Sequence, residues 1–215
     1  MKRETAMFII KPGYKSEIIA GVDWYEGELN RRCAALGAKN VSCWSVESYL
    51  YIYGEFEDDN PKGLEDLIAP YRGEISLRAE QVGTNSDMRL MYHCIGKVRQ
   101  DKSLIRRRVF ATILKEGCAD EYFARHQALI DARNDIDPDG AETNFTIRCA
   151  RGKYIFGYCE LVKSFDHEMT EEEKASTTAW ETRQLEIMDW LTDDVDRITG
   201  QKHKAMEKLF VQKGY

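Results

Sequence analysis

A chain that carries two altered copies of one unit is constrained to fold as two versions of one structure, and this sequence of 215 residues is such a chain. Displaced by 104 positions, Ile9, Lys11, Gly13, Glu17, Ala20 and Asn40 fall on Ile113, Lys115, Gly117, Glu121, Ala124 and Asn144. One residue's slip later, Tyr51-Ile52-Tyr53-Gly54-x-x-Glu57 meets Tyr154-Ile155-Phe156-Gly157-x-x-Glu160. The repeat divides the chain into units 1–99 and 100–215, and a chain of this size can bury a sizeable core.

Within each copy the hydrophobic pattern changes period in a fixed order. A short apolar run, Ala6 to Lys11 or Val109 to Lys115, ends at a glycine and reads as a strand entering a turn. Ile18, Val22, Tyr25, Leu29, Cys33 and Leu36 then recur at steps of three and four, the stripe of a helix facing a sheet, and Gly37 ends it. Two strand-like runs follow, 40–46 with 49–57 in the first copy and 144–149 with 153–161 in the second. A second helix is predicted from Pro61 in the first copy and from Thr170 to Asp196 in the second, where Thr170-x-x-Glu173 has the form of a capping box. Closing strands are predicted at Met88 to Cys94 and Met206 to Val211.

Strand, helix, strand, strand, helix, strand is the ferredoxin-like plan of an α+β protein. In the hairpin strand Tyr51, Tyr53, Glu55 and Glu57 point one way and Ile52, Gly54 and Phe56 the other, so the sheet face away from the helices also needs cover. Stacking the two sheets of one chain would supply it. The expected architecture is therefore two ferredoxin-like repeats forming an intrachain dimeric α+β barrel, with room for further self-association.

Composition narrows the partners. A net charge of -6 and a pI near 5.4 give a field that repels nucleic acid. No segment has the ~18 uncharged apolar residues of a membrane span, and Met1-Lys2-Arg3-Glu4 leads into too brief an apolar run for a signal peptide. A cytoplasmic location is expected, with the six scattered cysteines as reduced, packed thiols. The basic run Lys97, Arg99, Lys102, Arg106, Arg107 and Arg108 reads as a solvated linker. No histidine or cysteine spacing suits a metal and no glycine loop suits a phosphate, so neither a metal nor a nucleotide is expected.

The copies differ most at Ile18 and Val22, which fall on Tyr122 and His126. Residues four apart lie one above the other on a helix, and these positions belong to the inward stripe. A phenol and an imidazole placed there need partners, at a cost of about 1 to 3 kcal/mol each if left without them. They predict a polar cavity. The second ionisable group of an acid/base pair could come from Glu160, whose counterpart by this alignment is Glu57, or from Asp166, His167 or Asp189.

The stretch from Arg108-Val109-Phe110 through Glu121-Tyr122-Phe123-Ala124-Arg125-His126 resembles the opening of the L-rhamnose mutarotase family. There a first strand leads into a helix carrying Glu-Tyr-x-x-x-His with a basic residue before the histidine. Asn144-Phe145 falls where that family has an asparagine and an aromatic residue, and Asp189-Trp190 falls where it has paired tryptophans. The first copy resembles the family in layout, at Lys11-Pro12-Gly13 and Gly37-Ala38-Lys39-Asn40, without the active pair. The resemblance implies cofactor-free interconversion of the anomers of L-rhamnose or a related monosaccharide. It makes His126 the proton donor, Tyr122, Asn144 and Phe145 sugar contacts, and Trp190 a stacking surface. The sequence departs from the family pattern in three places: Phe145 lacks a hydroxyl, Asp189 replaces a tryptophan, and Gln127-Ala128-Leu129-Ile130 replaces a Pro-x-Trp-Pro stretch. A ligand-binding or structural protein of the same fold, and a small monooxygenase of that fold, are the other readings.

Overall fold

The structure, a computed structural model, describes residues 1–132, 142–163, 170–190 and 205–214, with the backbone alone at Trp190. It is α+β, with two five-stranded antiparallel sheets and helices packed on each. Among the described residues no helix is long and apolar enough to cross a membrane.

The first unit comprises Met1–Met88 and Met206–Tyr215. Its strands are β1 (Lys2–Ile10), β2 (Lys39–Val46), β3 (Tyr49–Phe56) and β4 (Ala79–Thr84), and its long helix is α1 (Lys15–Ala35). Gly37, at φ 64°, ends α1 as its position predicts. The second helical region is broken into α2 (Leu64–Ile68), a 3-10 turn at Ala69–Tyr71 and α3 (Arg72–Arg78). It begins after Gly63 and not at Pro61, because the Glu4 carboxylate accepts the Leu64 N–H at 2.7 Å.

The second unit, Arg89–Ala205, holds β5 (Arg89–Cys94), β6 (Ile105–Leu114), α4 (Ala119–Ala132), β7 (Glu142–Ala150), β8 (Tyr154–Val162), α5 (Glu171–Leu185) and β9 (Met188–Trp190). The capping box forms as expected: Glu173 N–H donates to Thr170 Oγ1 at 3.2 Å and Thr170 N–H to Glu173 Oε2 at 2.8 Å. The helix ends well before Asp196. Lys115 Nζ caps the carbonyls of Leu185 and Glu186 at 2.9 and 3.0 Å, and β9 then pairs with β6. Lys11 does the same in the first unit, donating to Ser76 O and Leu77 O at the end of α3. That shared task explains why a lysine recurs 104 positions later. Leu191 and Val195, predicted to continue the helix, lie outside the described residues.

The compact units do not coincide with the sequence copies. The sheet orders are β10-β2-β3-β1-β4, where β10 is Glu207–Val211, and β5-β7-β8-β6-β9. Each copy's closing strand therefore completes the other copy's sheet. A strand's side-chain pattern specifies which face it buries, not which edge it joins.

The hairpin motif is also out of register with the fold. Thr5 pairs with Tyr53, and Val109, 104 residues later, pairs with Tyr158. Glu55 is thus the structural counterpart of Glu160, while Glu57 is exposed and bound to Lys39. In both units an asparagine at positive φ, Asn40 at 51° or Asn144 at 53°, donates its side-chain N–H to that buried carboxylate at 2.8 and 2.9 Å. The tyrosine two residues before the glutamate adds its hydroxyl, at 2.9 Å from Tyr53 and 3.1 Å from Tyr158. The second unit adds Lys102, whose Nζ lies 2.9 and 3.0 Å from the Glu160 oxygens. Lys102 is therefore buried in an ion pair, a correction to the solvated-linker reading of the basic run.

Two stability predictions follow from this packing. Lys102→Met strips a cation from a carboxylate that is 0% exposed and costs about 3 to 5 kcal/mol. Lys39→Met, at the surface pair with Glu57, costs less than about 1 kcal/mol. Gly157 lies opposite Phe110, and a Cβ there would sit 2.1 Å from the ring, whereas Ala6 faces Ile52 at the equivalent place in the first unit. Gly157→Ala should cost about 1 to 3 kcal/mol, and Gly157→Ile with Phe110→Ala should recover part of what Gly157→Ile loses. Urea unfolding of each variant measures both.

Candidate functional site

α4 buries Tyr122, Arg125 and His126, the two rings toward the sheet and the arginine toward the end of α5. Arg125 holds the helix in place: Nε donates to Glu121 at 2.7 Å, Nη2 to Glu186 at 3.0 Å, and Nη1 to the Arg183 carbonyl. The basic residue before the histidine thereby ties α4 to the end of α5. One turn of helix then brings the Tyr122 and His126 rings to 4.2 Å between centroids.

His126 is 7% exposed, and its Nδ1 lies 2.9 Å from the Tyr122 carbonyl oxygen. A carbonyl can only accept, so Nδ1 carries the proton and Nε2 presents a lone pair. Burial holds the imidazole below its ordinary pKa of 6.5, against a smaller upward pull from the Tyr122 carbonyl. The ring is neutral at pH 7. Tyr122 is 2% exposed, and burial drives its hydroxyl pKa upward, so the phenol keeps its proton and acts as a donor.

Three further aromatic rings complete the cluster. Tyr92, on β5, lies 5.7 Å from the His126 ring, and Trp180, on α5, lies 5.3 Å from it at 83°. Phe145 packs edge-on to Tyr92 at 5.0 Å and to Phe110 at 6.1 Å. Phe145 and Trp180 are half-buried, so the cluster is partly open to solvent. Tyr92 escapes a reading by copies because it comes from the first copy's closing strand. Trp180 falls inside the helix predicted from Thr170, with no local signal that marks it for the site.

Of the residues implied by the resemblance, the structure brings together Tyr122, His126 and Phe145. Asn144 is turned away, because its amide serves Glu160 as Asn40 serves Glu55 in the unit without the Tyr/His pair. It is a structural residue. Glu160 lies on the opposite face of β8 from Ile155, which packs with Tyr122, so it is no partner for His126. Asp189 is exposed, its carbonyl accepting from Thr112 Oγ1 at 2.6 Å. The Trp190 side chain and residues Asp166 and His167 lie outside the described residues. Among the described residues no three His, Cys, Asp or Glu side chains gather as metal ligands.

The first unit is built differently at the same place. Phe210 pairs with Cys43 as Tyr92 pairs with Ile147, 104 residues on from Cys43. Ile18, Val22, Val41 and Phe210 thus stand where Tyr122, His126, Phe145 and Tyr92 stand in the second unit. Here they line an apolar cavity of about 250 Å³ between α1 and the sheet.

No protein-family model and no curated protein matches the chain. Among solved structures it is similar to a protein of Fusobacterium nucleatum named provisionally as a monooxygenase, at 12% identity and TM-score 0.48, over 98% of this chain and 92% of that one. It is also similar to a VAO-type flavoprotein of Myceliophthora thermophila, at 12% identity and TM-score 0.29, over 83% of this chain but only 36% of that one. Likeness at this level carries no argument about chemistry.

The histidine's environment yields its own prediction. An unfolded chain restores the ordinary value of 6.5, so below that pH the unfolded state binds a proton that the folded ring resists. The stability due to the neutral ring is fully present above 6.5 and is lost as pH falls through the depressed folded value. Urea unfolding at stepped pH should show an acid slope that His126→Gln flattens, and imidazole NMR should show the Nδ1–H tautomer.

Proposed function

We propose that the second unit interconverts the anomers of a monosaccharide, L-rhamnose or a close relative, without a cofactor and with His126 as its proton-transfer group. The observation that supports this reading is the neutral imidazole whose Nδ1–H is pinned to the Tyr122 carbonyl, at a position the first unit fills with Val22. Opening a pyranose requires the anomeric hydroxyl to lose its proton while the ring oxygen gains one and its bond to the anomeric carbon breaks. A pinned, neutral ring begins that cycle as a base: Nε2 takes the anomeric hydroxyl proton, the imidazolium so formed passes it by way of water to the ring oxygen as the C–O bond breaks, and the same transfers run backward when the ring closes on the other face. The resemblance made His126 a proton donor, and the depressed pKa reverses the order of its two roles. The protonated Tyr122 phenol donates a hydrogen bond to the sugar, and the rings of Tyr92, Phe145 and Trp180 offer apolar surfaces to its C–H face.

Saturation-transfer NMR across hexoses and deoxyhexoses tests the reading. The protein should accelerate exchange between the α and β forms of at least one of them. His126→Ala should lose about 10² to 10⁴ of that acceleration. The wild-type rate should fall on an acid limb lying below 6.5, as Nε2 becomes protonated. Tyr122→Phe should chiefly weaken sugar affinity. Equal rates for wild type and His126→Ala would make the second unit a binding module.

A further inference from the structure

The cavity in the first unit is unused by this chemistry, and its walls specify what it can hold. We infer that it is a binding site for a small, uncharged, lipophilic molecule of about two fused rings.

The walls are almost wholly hydrocarbon. Ile18 and Val22 from α1 close one side, and Val41, Leu50, Ile52 and Phe210 from the sheet close the other. The charged residues of the lining stand at its solvent edge and leave one negative charge in excess. Arg78 Nε is bound to Glu17 at 2.9 Å and its terminal nitrogen lies 3.9 Å from Glu74, so the one cation is already taken by two exposed carboxylates. The Tyr71 hydroxyl donates to Glu28 at 2.9 Å, and burial with that bond raises its pKa to about 12. The Cys43 thiol is pushed by burial to about 12 as well, which leaves it protonated and unreactive at neutral pH. No cation in the lining is left over to hold an anion, and its thiol is not poised to attack a ligand.

Two features of α1 show that the space belongs to the fold and is not a packing slip. Its stripe of Ile18, Val22, Tyr25 and Leu29 is only half-buried, and Cys33 alone of its residues is fully buried, so most of the helix stands off the sheet. Gly21 lies on the cavity side in mid-helix, where glycine is a poor helix former, and a Cβ built there meets nothing within 4 Å. At the corresponding turns of α4 the rings of Tyr122 and His126 stand in place of these aliphatic groups. A dry cavity of about 150 Å³ takes benzene in another protein, so about 250 Å³ suits a bicyclic aromatic. Such a ligand would complete the core that α1 leaves unfinished.

Titration with 2-naphthol, which is neutral and fluorescent, and with the anion 2-naphthoate tests the inference. The full chain should bind 2-naphthol saturably, one per chain and in the micromolar range, with 2-naphthoate at least about tenfold weaker because its charge would lose water for an apolar wall. Gly21→Leu and, separately, Val22→Phe fill the space from α1 without touching the second unit. Either should abolish 2-naphthol binding, and Gly21→Leu should also raise the melting temperature, while the rate with sugar stays unchanged. Non-saturable binding, or equal binding by wild type and a folded Gly21→Leu variant, overturns the inference. So does tighter binding of 2-naphthoate, which would make Arg78 an anion receptor. Self-association that Gly21→Leu abolishes also overturns it, since a second copy would then be what covers the space.

Discussion

The buried carboxylate in each hairpin is the fixed point around which the unit is arranged. Glu55 and Glu160 each collect an asparagine amide and a tyrosine hydroxyl, and to reach its glutamate the asparagine takes a left-handed backbone. That conformation falls where the strand register shifts, between Lys39 and Ser42 in one unit and between Thr143 and Thr146 in the other. The shift turns the next residue toward the helix, which is how Val41 comes to wall the cavity and Phe145 to meet Tyr92. An unsatisfied carboxylate in such a place would cost several kcal/mol, so the geometry that satisfies it is retained even where the neighbouring chemistry has changed.

What the sequence disclosed was periodic, and what it concealed was relational. The steps of three and four that put Ile18 and Val22 on an inward stripe, carried across 104 positions, were enough to place Tyr122 and His126 inside the second unit. The same alternation put Glu160 and Tyr158 on one face of a strand. It did not show that this face lies away from His126. Asparagine beside an aromatic residue looked like part of a sugar site, yet Asn144 and Phe145 are adjacent in a strand and serve opposite faces. Lys102 looked solvated because it sits in a run of cations, and nothing local reveals that a carboxylate 58 residues away is buried beside it. An apolar stripe reads the same whether it touches the sheet or stands off it, so the cavity left no trace in the pattern.

With the carboxylate node common to both units, their difference is confined to a few positions under the first helix. Volumes have been redistributed as well as polarity. In the second unit a phenylalanine faces a glycine across the strand pair, and its ring passes over Gly157 toward Phe145, whereas the first unit pairs an alanine with an isoleucine. Rings line the one site, and hydrocarbon walls enclose space in the other. The imidazole is tolerated because its one obligatory donor has a partner within its own helix, and its acceptor costs less to bury as a neutral nitrogen than a charge would.

Strand exchange makes this divergence a property of the whole chain and not of either copy. The ring beside His126 belongs to Tyr92, in the first copy's closing strand, and the ring beside Val22 belongs to Phe210, in the second copy's closing strand. Each site therefore has one wall encoded in the other copy, Tyr92 lying 34 residues before His126 and Phe210 lying 188 residues after Val22. The character of each site thus depends on both copies, and the two closing strands carry the matching pair: a tyrosine where the imidazole sits and a phenylalanine where the lining is hydrocarbon. Neither copy, cut at the sequence boundary, would contain a finished sheet or a finished site. The chain is two units in space and one unit in sequence logic, and for that reason a polar site and an apolar cavity can persist on a single repeated framework.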